Sequence, residues 1–176
     1  MTTYVVLLRA VNVGGTGKLP MEDLKRIAES AGLSRPRTYI ASGNLVAGSD
    51  LSEIELKRVL EAKLAEYAGR PLPVLVRSAA EMAEILGANP FPKAASNRTV
   101  AFFLDTAPPA NTLDTVTGRN DEVIALGKRE IYVHYGSGMG NSKLTIPAAK
   151  AGTARNMNTV AKLASMTAEH LSSGAT

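Results

Sequence analysis

Lys18 and Lys143 each close a glycine-rich run, Gly14-Gly15-Thr16-Gly17-Lys18 and Gly136-Ser137-Gly138-Met139-Gly140-Asn141-Ser142-Lys143. A lysine behind such a loop and ahead of a helix start suits phosphate chemistry. Backbone N–H groups left free by the loop point at the anion, and the ammonium neutralises it. Neither run is a standard nucleotide loop. A Walker loop ending at Gly17-Lys18 needs glycine at position 12, occupied by Asn12, and Ser or Thr at position 19, occupied by Leu19. In the second run Lys143 follows Ser142 and not glycine, and the dinucleotide pattern fails at Pro20. ATP hydrolysis and dinucleotide binding are set aside on these motifs, and a looser anion site survives.

The charge pattern points the same way. The formal net charge is +4. The first acid in the chain is Glu22, so Arg9 and Lys18 lie in an acid-free stretch, and no acid separates Glu130 from Glu169, a span holding Lys143, Lys150, Arg155 and Lys162. If the fold joins the two stretches, the surface attracts phosphates or nucleic acid; if it does not, these cations solvate a surface. The candidate ligand-binding set is Arg9, Asn12, Lys18, Asn44, Ser142, Lys143, Arg155 and Asn156.

Catalytic chemistry is thinly represented, and no catalytic residue is assigned. The absence of cysteine removes thiol nucleophiles, disulfides and thiolate metal sites. Two histidines, His134 on a strand and His170 near the end of the chain, make a dedicated metal site unexpected, and no cofactor is called for. Ser42, Ser137 and Ser142 lack the Gly-x-Ser-x-Gly elbow. The alternatives are a metal-independent enzyme acting on a nucleotide-like substrate, with Ser142 as nucleophile and Lys143 or His134 as base, or a structural and interaction module. Arg9, Tyr39 and Asn44 also fit a satisfied polar network. Base stacking has few platforms: one ring of Phe102-Phe103 must face inward, which leaves Tyr132 and Tyr135, so a nucleic-acid ligand would be held by its backbone.

The elements that must position these residues follow from periodicity. An apolar run from Val5 to Val11 predicts a central strand over 3–12. Met21, Leu24, Ile27, Ala28 and Ala31 form one face of a helix ended by Gly32. Arg37 to Ser42 and Leu45 to Ala47 predict a hairpin about Gly43-Asn44, Asp50 with Glu53 an N-cap, Leu56 to Tyr67 an amphipathic helix, and Leu72 to Arg77 a strand. The order is β-α-β-β-α-β, the ferredoxin-like or split β-α-β arrangement. Ser78 with Glu81 then opens a helix, Thr99 to Leu104 is a strand, and Val123 to Leu126 with Ile131 to Tyr135 form a hairpin. A short helix is expected from Ser142. The last helix is expected to follow Thr159, capped by Asn156 or Asn158, with Val160, Leu163, Ala164 and Leu171 inward. The fold class is therefore α+β: a ferredoxin-like subdomain over 1–78 and a second α+β subdomain over 79–176 packed against it, ending in a C-terminal helix, with no sequence-level repeat between them. With 45% hydrophobic and 20% charged residues and no apolar run long enough to span a membrane, the expectation is a cytoplasmic protein.

Several blocks carry a family resemblance: Leu8-Arg-Ala-Val-Asn-Val-Gly-Gly15, Thr38-Tyr-Ile-Ala-Ser-Gly-Asn44, Asn89-Pro-Phe91, Gly140-Asn-Ser-Lys-Leu144 and Thr153-Ala-Arg-Asn-Met-Asn-Thr-Val160. In order and over nearly the whole chain, they resemble domain-of-unknown-function family 1697. The resemblance implies a bacterial, cytosolic α+β protein with ferredoxin-like units and no established activity or catalytic set. Two positions depart from the family pattern. Asn141 stands where arginine is often found, which removes a charge from the presumed anion surface, and Met157 stands where tryptophan is often found, which removes a stacking platform.

Overall fold

The computed structural model describes residues 1–9 and 18–174. Asn12 and the first glycine run lie outside the described residues.

The β-branched run at the start forms β1 (Thr2–Leu8), shorter than the strand expected from the apolar pattern. It is followed by α1 (Met21–Ser30), β2 (Ser34–Thr38), β3 (Asn44–Ser49), α2 (Glu53–Ala68) and β4 (Val74–Ser78). The strands form an antiparallel sheet in the order β2-β3-β1-β4, so β3 lies between β1 and β2, the split β-α-β order. Alternation on β1 sends Tyr4, Val6 and Leu8 into a core with Leu45 and Ala47 of β3, Val74 and Val76 of β4, Leu24 and Ala28 of α1, and Leu56, Leu60 and Leu64 of α2. Val5, Leu7, Val46 and Leu75 on the opposite face are equally buried, which explains the unbroken apolar run.

Two local expectations are corrected in this unit. The N-cap of α2 is Ser52, whose hydroxyl accepts from the Glu55 amide while the Glu55 carboxylate accepts from the Ser52 amide. Asp50, also an acid three residues ahead of Glu53, instead meets the terminal ammonium at 3.4 Å. Asn44 is not a turn residue but the first residue of β3, and the reversal is made by Tyr39–Gly43, with Ile40 at φ +50° and Gly43 at φ +86°.

The second half of the chain supplies α3 (Ala79–Gly87), opened by the expected Ser78–Glu81 capping box, then β5 (Thr99–Phe103), β6 (Val123–Leu126), β7 (Glu130–His134), β8 (Thr153–Asn156) and α4 (Met157–Ser173). These strands form a second antiparallel sheet in the order β6-β7-β5-β8. Both sheets thus use one topology: second, third, first, fourth strand in order of appearance. In the second sheet the crossovers run through short 3₁₀ segments at Thr112–Thr115 and Pro147–Ala151 where the first sheet has α1 and α2. No helix begins at Ser142; the short helix of this region is the segment at Pro147–Ala151. Its core holds Val100, Leu104, Ile124, Ile131, Val133, Tyr135 and Ile146.

The chain divides into two compact units, 1–84 with 162–176 and 85–161. Both divisions fall within helices, α3 and α4, so α4 from Lys162 onward is counted with the first unit, where the sequence pattern divides the chain at 78/79. Leu171, expected inward, is exposed, and the buried stripe of α4 runs Val160, Leu163, Met166, Thr167 and His170.

Candidate functional site

In the first unit, Arg9 follows the end of β1. Its amide donates to the Pro73 carbonyl at 3.1 Å, and the preceding Leu8 amide donates to Gly43 at 2.9 Å. Leu7 is in register with Asn44. Arg9 and Asn44 therefore belong to one end of the sheet. Asn44 is fully buried there and donates to the Tyr39 carbonyl at 2.8 Å and to Ser42 Oγ at 3.0 Å. It pins the turn that carries Tyr39, whose ring faces Lys162 Nζ at 6.0 Å. Lys18 is exposed ahead of the buried Leu19 and of α1.

In the second unit, Ser142 and Lys143 line a pocket of about 290 Å³ with Gly118, Asn120, Asp121, Glu122, Ser137, Gly138 and Asn141. Two chain segments build it. The loop after β7 and the segment before β6 are joined by a pair of backbone bonds between Thr117 and Thr145, 3.1 Å and 2.8 Å. Gly118, at φ +70°, lets the segments approach until its Cα faces the Lys143 carbonyl. Ser142 Oγ donates to Glu122 Oε1 at 2.7 Å and accepts from the Leu144 amide at 3.2 Å. Ser137 Oγ donates to Asp121. Lys143 is exposed at the rim.

Glu122 is buried, and its carboxyl is held below the ordinary carboxylate value, first by the Asn120 amide at 2.6 Å, then by the Ser142 hydroxyl. The charge is retained, and it acts on its neighbours. The Tyr135 phenol is pushed up, first by burial and then by the Glu122 charge. The stretch from 131 to 168, free of acids in sequence, is thus not free of them in space, because Asp121 and Glu122 meet its serines. A carboxylate with a lowered pKa is a weak base, so Ser142 receives little activation from the partner it touches.

Arg155 and Asn156 do not line this pocket. Both lie on β8 beside Ala101 and Val100 of β5. Arg155 is buried, donates to Thr153 Oγ1 at 2.8 Å and to the Ala154 carbonyl at 2.9 Å, and is lowered by burial to about 10, still charged at neutral pH. Asn156 Oδ1 accepts from the Thr159 amide at 2.9 Å and so provides the N-cap of α4. The stacking candidates Tyr132 and Tyr135 are buried, Tyr132 donating to the Ile85 carbonyl at 3.1 Å, and Met157 is buried as well. Among the described residues no group of three His, Asp or Glu side chains could hold a metal ion, and no helix is long and apolar enough to cross a membrane.

Residues 1–132 match the model of a family described as proteins of unknown function, DUF1697. The chain belongs to that family. No curated protein matches it significantly. Among solved structures it is similar to the conserved bacterial protein SP0830 from Streptococcus pneumoniae, at 24% identity and a TM-score of 0.78, over 94% of this chain and 98% of that one. At that identity the likeness shows the fold alone.

Three structural features had no signal in the sequence. Asp121 and Glu122 are separated from their serine partners by 16 and 20 residues. His170, near the end of the chain, is buried in the first unit. Arg77 on β4 is fully buried, donating to the Val76 carbonyl at 3.0 Å. Alternation alone marked none of them.

Proposed function

We propose that this protein binds a small phosphate-bearing molecule, of the size and polarity of a sugar phosphate or nucleotide, in the second unit's pocket. The observation that carries this is the composition of the pocket wall. Lys143 offers a cation to a phosphate, while the equally exposed Asp121, Asn120 and Asn141 offer acceptors and donors to the hydroxyl or amino groups of the same ligand.

The same wall favours a compact ligand over a nucleic-acid backbone. A continuous polyanion laid along this surface would meet the charges of Asp121 and Glu122 without a donor group to offer them. The burial of Tyr132 and Tyr135 also removes the stacking platforms a single strand would use. Of the residues expected to contact ligand, Lys143 and Ser142 belong to this pocket. Arg9, Lys18 and Asn44 belong to the first unit, and Arg155 and Asn156 serve β8 and the start of α4.

A thermal-shift screen against sugar phosphates, nucleotides and short oligonucleotides tests the assignment, since a ligand that binds only the folded state raises the melting temperature. Stabilisation by a small phosphorylated compound, absent with its dephosphorylated counterpart and weaker with oligonucleotides, is the expected outcome. A larger shift with oligonucleotides would favour the polyanion reading and overturn this one.

A further inference from the structure

A second pocket lies wholly within the first unit, and its wall is chemically different. About 350 Å³ in volume, it is lined by Lys25 and Glu29 of α1, Arg35, Pro36 and Arg37 of β2, and His170 and Ser173 of α4. We infer that this pocket is a separate oxyanion site, built by Lys25, Arg35 and Arg37 to take a phosphomonoester group.

The local backbone explains how two arginines come to share one hollow. β2 is an edge strand, where Pro36 removes no needed ladder bond. Its pairing with β3 shifts register between Ser34 and Arg37, a bulge that re-aims the side chains within it. Arg35 sits inside that bulge at φ +49°, a conformation that L residues other than Asn and Asp rarely adopt and that the surroundings must enforce.

They enforce it from α4. Arg35 Nη1 donates to Ser173 Oγ and Nη2 donates to the His170 carbonyl at 3.0 Å. His170 is itself fixed. Its Nε2 lies 3.2 Å from the Ser34 carbonyl, which only a donor satisfies, and its Nδ1 lies 3.1 Å from Thr3 Oγ1. The Arg35 guanidinium is therefore held in place by α4, its Nη2 lying also 3.5 Å from His170 Nδ1, and it brings a fixed, always-charged group to the pocket wall.

The charge balance supports an anion. Arg37 pairs with Glu169 at 2.8 Å. Lys25, exposed on α1, has no ion-pair partner among the described residues, although Glu29 follows at the helical spacing that often pairs. Three cations face two carboxylates, one of them already engaged by Arg37. The remaining positive charge is what a phosphate would neutralise.

Titration of the 15N-labelled full chain with inorganic phosphate at constant ionic strength tests the site, with acetate and chloride as comparison anions. Saturable amide shifts at the Leu33–Thr38 segment and the end of α4 are expected with phosphate. Lys25→Ala and Arg37→Gln, both changes at exposed side chains, should each weaken the phosphate affinity about tenfold or more, the size of a charge-assisted contact. Lys143→Ala should leave these shifts unchanged, so the outcome is independent of the second unit's pocket. If Arg35→Ala perturbs folding, the two exposed variants still decide the matter. Linear shifts matched by chloride, an equal response to acetate, or saturable binding indifferent to both exposed substitutions would overturn the proposal.

Discussion

Replacing Gly118 with alanine probes the contact that brings the two walls of the second unit's pocket together. Two effects add. Gly118 has φ +70°, and an L side chain in that region costs about 1–2 kcal/mol. The new methyl would also overlap the Lys143 carbonyl, with its carbon only 2.8 Å away, so the segments must part by roughly 1 Å to restore ordinary contact. That movement strains the two Thr117–Thr145 backbone bonds one residue away, each worth about 0.5–1.5 kcal/mol. The expected loss is about 2–4 kcal/mol, read as a lower urea midpoint at unchanged slope. The chain contains its own control. Gly32 has φ +82° and nothing within 4 Å of a built methyl, so Gly32→Ala should show the backbone effect alone, about 1–2 kcal/mol. Gly118→Asn separates the effects further, because asparagine tolerates this φ but carries the same overlapping Cβ. Equal losses for Gly118→Ala and Gly32→Ala, or full recovery by Gly118→Asn, would refute the close-approach argument.

Two further outcomes follow from the structure. Ser52→Ala removes the hydroxyl that caps α2 and should lower stability by about 1 kcal/mol in the same urea assay. Glu122, whose folded-state carboxyl lies below its ordinary 4.5, stabilises the fold fully above that value, and this part is lost as pH falls through the lower folded value. Glu122→Gln should therefore flatten the acid limb of the stability profile relative to the natural protein, as followed by urea midpoints from neutral pH downward; parallel acid limbs would contradict the assignment.

The first unit was legible because its signals are local. β-branched runs, a 3.6-residue stripe over α2 and paired Ser/Glu spacings each act within a few residues, and β1, α1, α2, β4 and the α3 cap follow from them. What was missed is held by distant partners. β8, Thr-Ala-Arg-Asn, has no apolar alternation and is a strand because β5 pairs with it. β2 begins earlier than expected because Pro36 is tolerated at a sheet edge. The shared strand order of the two sheets left no trace in the sequence, since the crossovers that are helices in one are 3₁₀ segments in the other. For the pocket, the glycine loop and its Ser142 and Lys143 were visible, but counting acids along the chain could not reveal Asp121 and Glu122 opposite them. The cluster of Lys25, Arg35, Arg37 and His170 draws on three elements and has no contiguous signature.

The most direct test of the central claim is calorimetric titration of the natural chain and of Lys143→Ala with the best phosphorylated ligand from the thermal-shift screen. Because Lys143 is exposed at the pocket rim, its loss should leave the fold intact and weaken binding about tenfold or more, as expected for a charge-assisted phosphate contact. Equal affinity for both proteins would contradict the assignment of this pocket as the phosphate site.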